Sequence, residues 1–444
     1  MALATPWGES ALAVIRCSGE GTINLVAGLF SRPEALRGAE NASMLHGYIT
    51  ANNAAGSEKI DEVMLAVFRP PHGYTGEESV EISCHGSLPG IQKILEVLRS
   101  QGFRDAAPGE FSLRGFLNGK MDLTRAEAVQ EIIGAKSRHA QALALNRLSG
   151  ALWERIEQLK QGLTSLLAAV EVQLDYPEDE MEAAPELPLD TLHELEAGLL
   201  QLLGTYRTGR LYQEGVRVAI SGATNAGKSS LFNLFLREDR SIVSGIHGTT
   251  RDYIESWISI QGVPVRLFDT AGLRDPEHPV EAEGIKRSGQ VVESAALVLY
   301  LVDATVGLSP AEWAEVEERW QDPRYLYVWN KTDIATELPP SGWIPISAET
   351  GKGFEQLEAE IGRRLLGSGG DQGDLLIDSP RQQQLLERAT VALKEAGGAV
   401  EAGVALDFVA ADLKDALDAL GEITGEVTSA DILNQIFGDF CVGK

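Results

Sequence analysis

The segment GATNAGKSS, Gly222 to Ser230, decides how the middle of this chain folds. It fits the spacing G-x-x-x-x-G-K-[ST], directly after the strand-like VRVAIS (216–221) and directly before the helix-like SLFNLFL (230–236). A strand, a glycine loop and a helix in that order are the context this motif requires. Gly222 and Gly227 let the backbone curl so that its N–H groups, from Asn225 and Ala226 through Ser229 and Ser230, face phosphate oxygens at a helix N-terminus. Lys228 supplies a positive charge for the β/γ-phosphates, and the Ser229 hydroxyl is a ligand for Mg²⁺. Outward from this loop, SWISI, PVRLFDT, ALVLYLVDA, YLYVWN and WIPIS read as further strands separated by helices or loops. That alternation predicts a parallel-rich α/β sheet.

The phosphate loop alone leaves adenine and guanine nucleotides undecided; three more motifs resolve the choice. DTAG (Asp269, Thr270, Ala271, Gly272) follows a strand, where an Asp is placed to hold the Mg²⁺ shell and a glycine N–H to sense a γ-phosphate. NKTD, with Asn330, Lys331 and Asp333, ends another strand. A carboxylate there accepts both the ring N–H and the exocyclic amine of guanine, a donor pair that adenine lacks. SAETG, with Ser347, Ala348 and Glu349, can offer a backbone N–H to the guanine carbonyl. Four motifs in this order, each at a strand end, predict a GTP-binding and GTP-hydrolysing domain. GTTRD (248–252) lies where a segment supplies a threonine to Mg²⁺, and Thr250 is the candidate. The position after DTAG, where Ras-like enzymes carry a water-orienting glutamine, is Leu273. Another group must orient water, and Glu281 and Glu283 downstream are the acidic candidates.

The flanks differ from this middle. Residues 1 to about 115 mix strands (ALAVIRCSG, EVMLAVFRP, SVEISCHGS) with a helix expected from after Ser87 to Gly102, an α+β pattern. From Asp122 to about Arg210 the sequence is Leu/Ala-rich with a helical period, Leu143, Leu145, Leu148 and Leu152 forming one expected stripe. Helical texture returns from Pro380, after the Gly-rich GSGGDQGD. The simplest organisation is one helical domain split by an inserted α/β domain. The expected divisions are 1–117, 118–211, 212–370 and 371–444.

The chain has 444 residues, 44% hydrophobic and 23% charged, with a net charge of −27 and three widely spaced cysteines. Such a chain holds several domains, and its cysteines fit a reducing cytoplasm rather than a disulfide or zinc framework. No secretory leader or membrane span is expected. The acidity argues against broad contact with a phosphate backbone, so any nucleic-acid substrate needs a local basic patch or a basic partner.

These motifs together with ALATPWGESALAVIRCSG, PPHGYTGEESVEISCHG, PGEFSLRGFLNGKMDLTRAEAV and the terminal FCVGK resemble the tRNA-modification GTPase family MnmE, also called TrmE, over essentially the whole chain. The resemblance implies an N-terminal folate-binding, dimer-forming domain, a discontinuous helical domain and an inserted Ras-like G domain. It implies a homodimer that works with an FAD-dependent MnmG-like partner in a heterotetramer. This assembly modifies C5 of the wobble uridine of certain tRNAs with a one-carbon unit from 5-formyltetrahydrofolate. The tRNA is expected to be held mainly by the partner.

The resemblance further implies K⁺ held by Asn225, Ser244, Ile246 (through its backbone) and Thr249, within a nucleotide-contacting loop that also contains Gly245, His247 and Gly248. A K⁺ near the phosphates stabilises charge where other GTPases use an arginine finger. Glu281 matches the family's water-orienting glutamate. Arg16, Glu81, Lys120 and Lys444 match its folate residues: a carboxylate suits the pterin donor face, and cations suit the glutamyl tail. Cys441 is open between a chemical role and a packed or accessible thiol, and His85 is expected to be partly buried and satisfied. Two rivals are a ribosome-assembly GTPase, against which the lack of a basic RNA-binding module argues, and a one-carbon transferase with a regulatory GTPase.

Overall fold

The computed structural model describes residues 1–53, 56–175, 189–238, 255–269, 292–367 and 375–444. It divides into two compact units: Met1–Gln130 with Arg147–Ala168 and Leu413–Lys444, and Glu131–Asn146 with Ala169–Asp412.

The first unit is built on strands β1 (Ala2–Leu3), β2 (Ser10–Ser18), β3 (Ser43–Asn53), β4 (Gly56–Phe68) and β5 (Ser79–Gly86), in the order β1-β2-β5-β4-β3 with every pairing antiparallel. Alternation along the strands sorts their side chains. Ala13, Ile15 and Cys17 of β2, Val63, Leu65 and Val67 of β4, and Val80, Ile82 and Cys84 of β5 are buried in one core with Ile91, Ile94, Leu95 and Leu98 of the helix Leu88–Ser100. By the same period, Arg16 and Glu81 fall on the other face, directly paired in register across β2 and β5. β3 was not among the expected strands; SMLHGYITANN carries too little alternation to announce itself and gains its strand state by pairing along β4.

A second cluster of this unit joins Leu123 and Ala126 to Phe437 and Phe440 of the segment containing the helix Ala430–Gly438. Gly109 has φ 64°, and a Cβ there would lie 2.4 Å from the Phe437 carbonyl oxygen, so the two segments approach too closely for any side chain.

Between Asp122 and Asp175 the long helical texture is three helices, Leu123–Gly134, Arg138–Ser149 and Ala151–Asp175. Gly150, with φ 110°, breaks the second from the third. The expected leucine stripe is not a single face: Leu143 and Leu152 are buried, whereas Leu145, about 200° round the same helix from Leu143, is exposed.

The second unit holds the predicted sheet. Strands β6 (Val216–Gly222), β7 (Glu255–Ile260), β8 (Val263–Asp269), β9 (Leu297–Asp303), β10 (Tyr325–Asn330) and β11 (Ile344–Pro345) run in the order β11-β10-β9-β6-β8-β7. All pairings are parallel except β7 with β8. Every residue of YLYVWN in β10 is buried, the mark of a strand covered on both faces. One core, with Val218, Ile220, Leu231, Phe235, Leu299, Val328 and Leu357, lies on one side of the sheet; a second, aromatic one, with Tyr300, Tyr327, Trp329 and Trp343, lies on the other. Covering helices are Lys228–Glu238, Pro310–Arg319, started by a Ser309–Glu312 capping box, and Phe354–Leu366.

Segments on either side of this sheet meet. The helices Leu189–Gly204 and Pro380–Glu401 pack together, the Ile377 N–H donates to Thr205 Oγ1 at 3.1 Å, and Gly209 lies against the Ile377 carbonyl. Among the described residues, no helix is long and apolar enough to cross a membrane.

Candidate nucleotide site

Parallel strands ending together leave their following loops on one sheet edge, and β6, β8, β10 and β11 place the starts of the four quoted motifs there. β6 ends at Gly222, whose φ is 133°; a Cβ would sit 2.1 Å from the Leu301 carbonyl oxygen of β9. Asn225 takes a left-handed conformation at φ 65°. At Gly227 a Cβ would lie 2.2 Å from Asn330 Nδ2, so the loop passes tightly over the end of β10. The loop thus needs its glycines for close approach as much as for turning.

Lys228 is buried, and its Nζ donates to the carbonyls of Gly222 at 2.9 Å and Ala223 at 2.7 Å. Its ammonium is held inside the curl of the loop. The Ser229 hydroxyl donates to Asp269 Oδ2 at 2.8 Å, and Asp269 is only 3% exposed. A hydroxyl and a carboxylate side by side at a helix N-terminus, with a lysine ammonium in the adjoining loop, form a hard-oxygen donor set that fits a magnesium-bound phosphate.

Asn330 ties three segments. It is 1% exposed; its Nδ2 donates to the Ala226 carbonyl at 2.8 Å, and its Oδ1 accepts from the Ala348 N–H at 2.9 Å. Lys331, at φ 66°, pairs with Asp303 Oδ2 at 2.6 Å. Burial alone would raise the Asp303 carboxyl, but the Lys331 ammonium and the Thr305 hydroxyl and N–H hold it below the ordinary range. Sequence reading missed Asp303; its position at the end of a fully apolar strand is the signal that could have found it. Asp333 and Glu349 are exposed, whereas Ser347 is fully buried and its Oγ accepts from the Thr350 N–H. The structure therefore brings together Asn225, Ala226, Gly227, Lys228, Ser229, Asp269, Asn330 and Ala348. The expected contacts at Ser244, Gly245, Ile246, His247, Gly248, Thr249, Thr250, Thr270, Ala271, Gly272 and Glu281 lie outside the described residues, as do Leu273 and Glu283.

The first unit has a separate charged cluster. Arg16 donates to Glu81 Oε1 at 2.8 Å and, through Nη1, to the Gly443 carbonyl at 3.0 Å. Its guanidinium lies 5.0 Å from the Tyr74 ring centre and 5.5 Å from that of Phe111. Lys444 Nζ is 5.6 Å from the same Tyr74 ring, and the Phe111 N–H donates to the Lys444 carbonyl. Burial, and then repulsion from Arg16, push the Lys444 ammonium below its ordinary pKa. Burial raises that of Tyr74. Arg16 and Lys444 thus lie against Tyr74 with Glu81 paired to Arg16, while Lys120 donates instead to the Pro71 carbonyl at 3.0 Å. A desolvated ammonium, a guanidinium and two aromatic faces in one place suit a flat, anionic, heteroaromatic ligand such as a folate. Tyr74 and Phe111 were missed, although both sit inside quoted signature stretches.

A cavity of about 280 Å³ nearby is lined by Ser18, Arg104, Glu110, Phe111 and Arg114 among others; Arg16, Glu81, Lys120 and Lys444 do not line it. His85 departs from expectation. Its side chain is 63% exposed and pairs with Asp61 Oδ1 at 2.7 Å, because its position on β5 faces away from the core. Cys441 is exposed, and Cys17 and Cys84 are buried.

Comparison with known proteins covers the chain from end to end. Residues 1–120 match the family model described as GTP-binding protein TrmE N-terminus, and residues 123–441 match that of the MnmE helical domain. The tRNA modification GTPase MnmE of Borrelia recurrentis is 40% identical over 458 residues, spanning 100% of this chain and 98% of that protein. Its counterpart in Symbiobacterium thermophilum is 39% identical, with the same coverage. Among solved structures, Aquifex aeolicus Era bound to GDP and AlF4⁻ is 25% identical over 40% of this chain and 66% of its own, at a TM-score of 0.28, too low to carry weight. The N-terminal α+β portion, the helical segments and the phosphate-loop sheet are those of one lineage, and the chain belongs to the MnmE (TrmE) family of GTPases that act in tRNA modification.

Proposed function

We propose that this chain is a potassium-dependent GTPase whose cycle drives, with an MnmG-like FAD protein, installation of an aminomethyl or carboxymethylaminomethyl group at C5 of the tRNA wobble uridine. The observation that carries the nucleotide part is the triple tie made by Asn330, which holds the phosphate loop, the end of β10 and the Ala348 loop in one arrangement. A base read by Asp333 and phosphates held by the 222–230 loop then have a fixed separation. Lys228 and the loop N–H groups neutralise the triphosphate, and Ser229 with Asp269 and Thr250 orients the magnesium side of it. Mg²⁺ and K⁺, when bound, supply positive charge where negative charge grows during phosphoryl transfer. Asn225, Ser244, Ile246 and Thr249 are the proposed potassium ligands; the left-handed backbone of Asn225 supports a loop residue committed to a special role. Glu281 orients the attacking water, a role that Leu273 cannot fill.

The second part of the reading is a folate one-carbon donor, such as 5-formyltetrahydrofolate, held by Arg16, Glu81, Lys120 and Lys444. The placing of Arg16 and Lys444 against Tyr74, with Glu81 paired to Arg16, supports it. The proposed domains remain 1–117 for folate binding and dimerisation, 118–211 with 371–444 for the helical domain, and 212–370 for the G domain. The assembly is a homodimer acting in the cytoplasm with the partner protein, which contributes most of the tRNA contact, in keeping with a net charge of −27.

GTP turnover by the purified full chain, measured in K⁺ and again in Na⁺, tests the reading. Hydrolysis should fall sharply in Na⁺ with GDP affinity nearly unchanged, and Glu281→Ala should slow hydrolysis in K⁺ without weakening nucleotide binding. Equal turnover in the two salts overturns the potassium assignment, and normal turnover by Glu281→Ala overturns the water-orienting one.

A further inference from the structure

The hairpin of β7 and β8 has one end in the nucleotide site and the other in the helical segment. β8 finishes at Asp269, whose carboxylate accepts from Ser229. Its seven residues place the far end, the Gln261–Gly262 turn, roughly 20 Å away. β7 is an edge strand of the sheet order and is paired only with β8 in that sheet, while β8 also pairs with β6.

The turn is nonetheless clasped from two sides. Ser137, 2% exposed, donates through Oγ to the Gly262 carbonyl at 2.7 Å, and the same Oγ accepts from the Ala140 N–H at 3.1 Å. One hydroxyl thus caps the helix Arg138–Ser149 and ties it to the turn. The His139 side chain closes on Gly262, where a Cβ would lie 3.0 Å from His139 Cβ, and its ring centre is 4.3 Å from that of Tyr212. On the other side the Gln261 amide lies against Gly362 of the helix Phe354–Leu366; a Cβ there would be 2.1 Å from Gln261 Oε1. Gln261 holds φ 50° and Gly262 φ 83°, the paired left-handed conformations of a tight hairpin turn, so the two strands are joined without slack. Leu143 of the clasped helix shares a core with Ile258, Ile260, Val263 and Val265 of the hairpin.

A general GTPase fold explains a β7–β8 hairpin; it does not call for a buried serine outside the sheet that holds its turn. We propose that the Gln261–Gly262 turn carries nucleotide state from Asp269 to the helix Arg138–Ser149, with Ser137 as the positioning residue that couples them. Close-packed interiors shift in discrete steps rather than yielding smoothly, so a strand displaced at Asp269 moves its turn, and the turn moves the helix to which Ser137 binds it. The inference rests on the assignment of Asp269 to the nucleotide site.

Hydrogen exchange on the full chain with GDP or with a non-hydrolysable GTP analogue tests it. In the wild type, peptides covering 138–149 should exchange at different rates in the two nucleotides. In Ser137→Ala and in Gln261→Ala, which leaves the helix cap intact, that difference should collapse while peptides covering 222–230 keep their nucleotide-dependent protection. The kcat for GTP should fall about 2- to 30-fold with KM held, the span that coupling changes of this kind produce. A cap-only role for Ser137 would speed exchange of the helix equally in both nucleotides and leave Gln261→Ala like the wild type, which overturns the proposal. So does a wild-type helix that exchanges identically in the two nucleotides while 222–230 is protected. Absence of protection at 222–230 in the wild type is a separate result that removes the nucleotide-site assignment, and the coupling with it.

Discussion

Replacing Asn330 with alanine should unhinge the nucleotide site by releasing the two loops that its amide ties together. The native amide satisfies the Ala226 carbonyl at 2.8 Å and the Ala348 N–H at 2.9 Å, and both of those residues are buried. Alanine leaves two backbone polar groups without that partner. Each buried group so stranded costs about 1–3 kcal/mol, giving roughly 2–6 kcal/mol for the pair before any relaxation. At about 2–4 °C per kcal/mol for a domain of this size, the thermal midpoint of the full chain should drop by roughly 4–24 °C. Because the lost ties join the phosphate loop to the Ala348 loop, GDP affinity measured by calorimetry should fall in step with stability. Asn330→Asp is the informative companion. Its carboxylate still accepts from Ala348 but faces the Ala226 carbonyl with a second acceptor, so it should rescue less than half of the loss. A midpoint within 1–2 °C of wild type together with unchanged GDP affinity in Asn330→Ala would refute the reasoning.

Three further outcomes are expected. Burial pushes the Cys17 thiol up to about 12, and burial with the nearby Asp61 carboxylate pushes Cys84 up to about 11, so a thiol reagent on the native chain should label exposed Cys441 quickly and the other two only after unfolding. Burial works to raise the Glu110 carboxyl, but Arg104, the Ala107 N–H and Arg114 together hold it at about 2, against an ordinary value of 4.5. A depressed carboxylate stabilises the fold above its unfolded pKa and loses that contribution as pH falls through the folded one. The stability advantage of wild type over Arg104→Ala should therefore be full at pH 6 and shrink between about 4.5 and about 2 in denaturant titrations. Finally, Gly222→Ala would set a Cβ 2.1 Å from the Leu301 carbonyl of the neighbouring strand, which cannot yield as a side chain can. GDP binding should be lost, and a variant that binds GDP normally would show that the loop is less tightly seated than described.

The sheet was legible because its strands advertise themselves twice, by apolar runs such as ALVLYLVDA and YLYVWN and by the motifs at their ends. The first unit was legible on β2, β4 and β5, where apolar residues alternate, and opaque on β3, whose strand state comes from its partner. Helical period alone did not place breaks: Gly150 splits the expected stripe, and Leu145 ends on a solvated face. His85 was misjudged for the same reason, since whether a residue at one strand position points inward is set by register. The site motifs were readable as chemistry, but not the contacts that seat them. Asp303 beneath Lys331, Tyr74 beside Arg16 and Ser137 on the Gly262 turn all join positions remote in the sequence, and no local pattern encodes such pairs.

The bond from Arg16 to the Gly443 carbonyl spans 427 positions. A ribosome delivers the arginine long before it delivers the glycine, and everything in between, including an entire nucleotide-binding fold, emerges first. The cluster around Tyr74 is therefore assembled late in the life of a nascent chain. A chain cut anywhere within the second unit would lose this cluster's closing segment, although its first strands were already made.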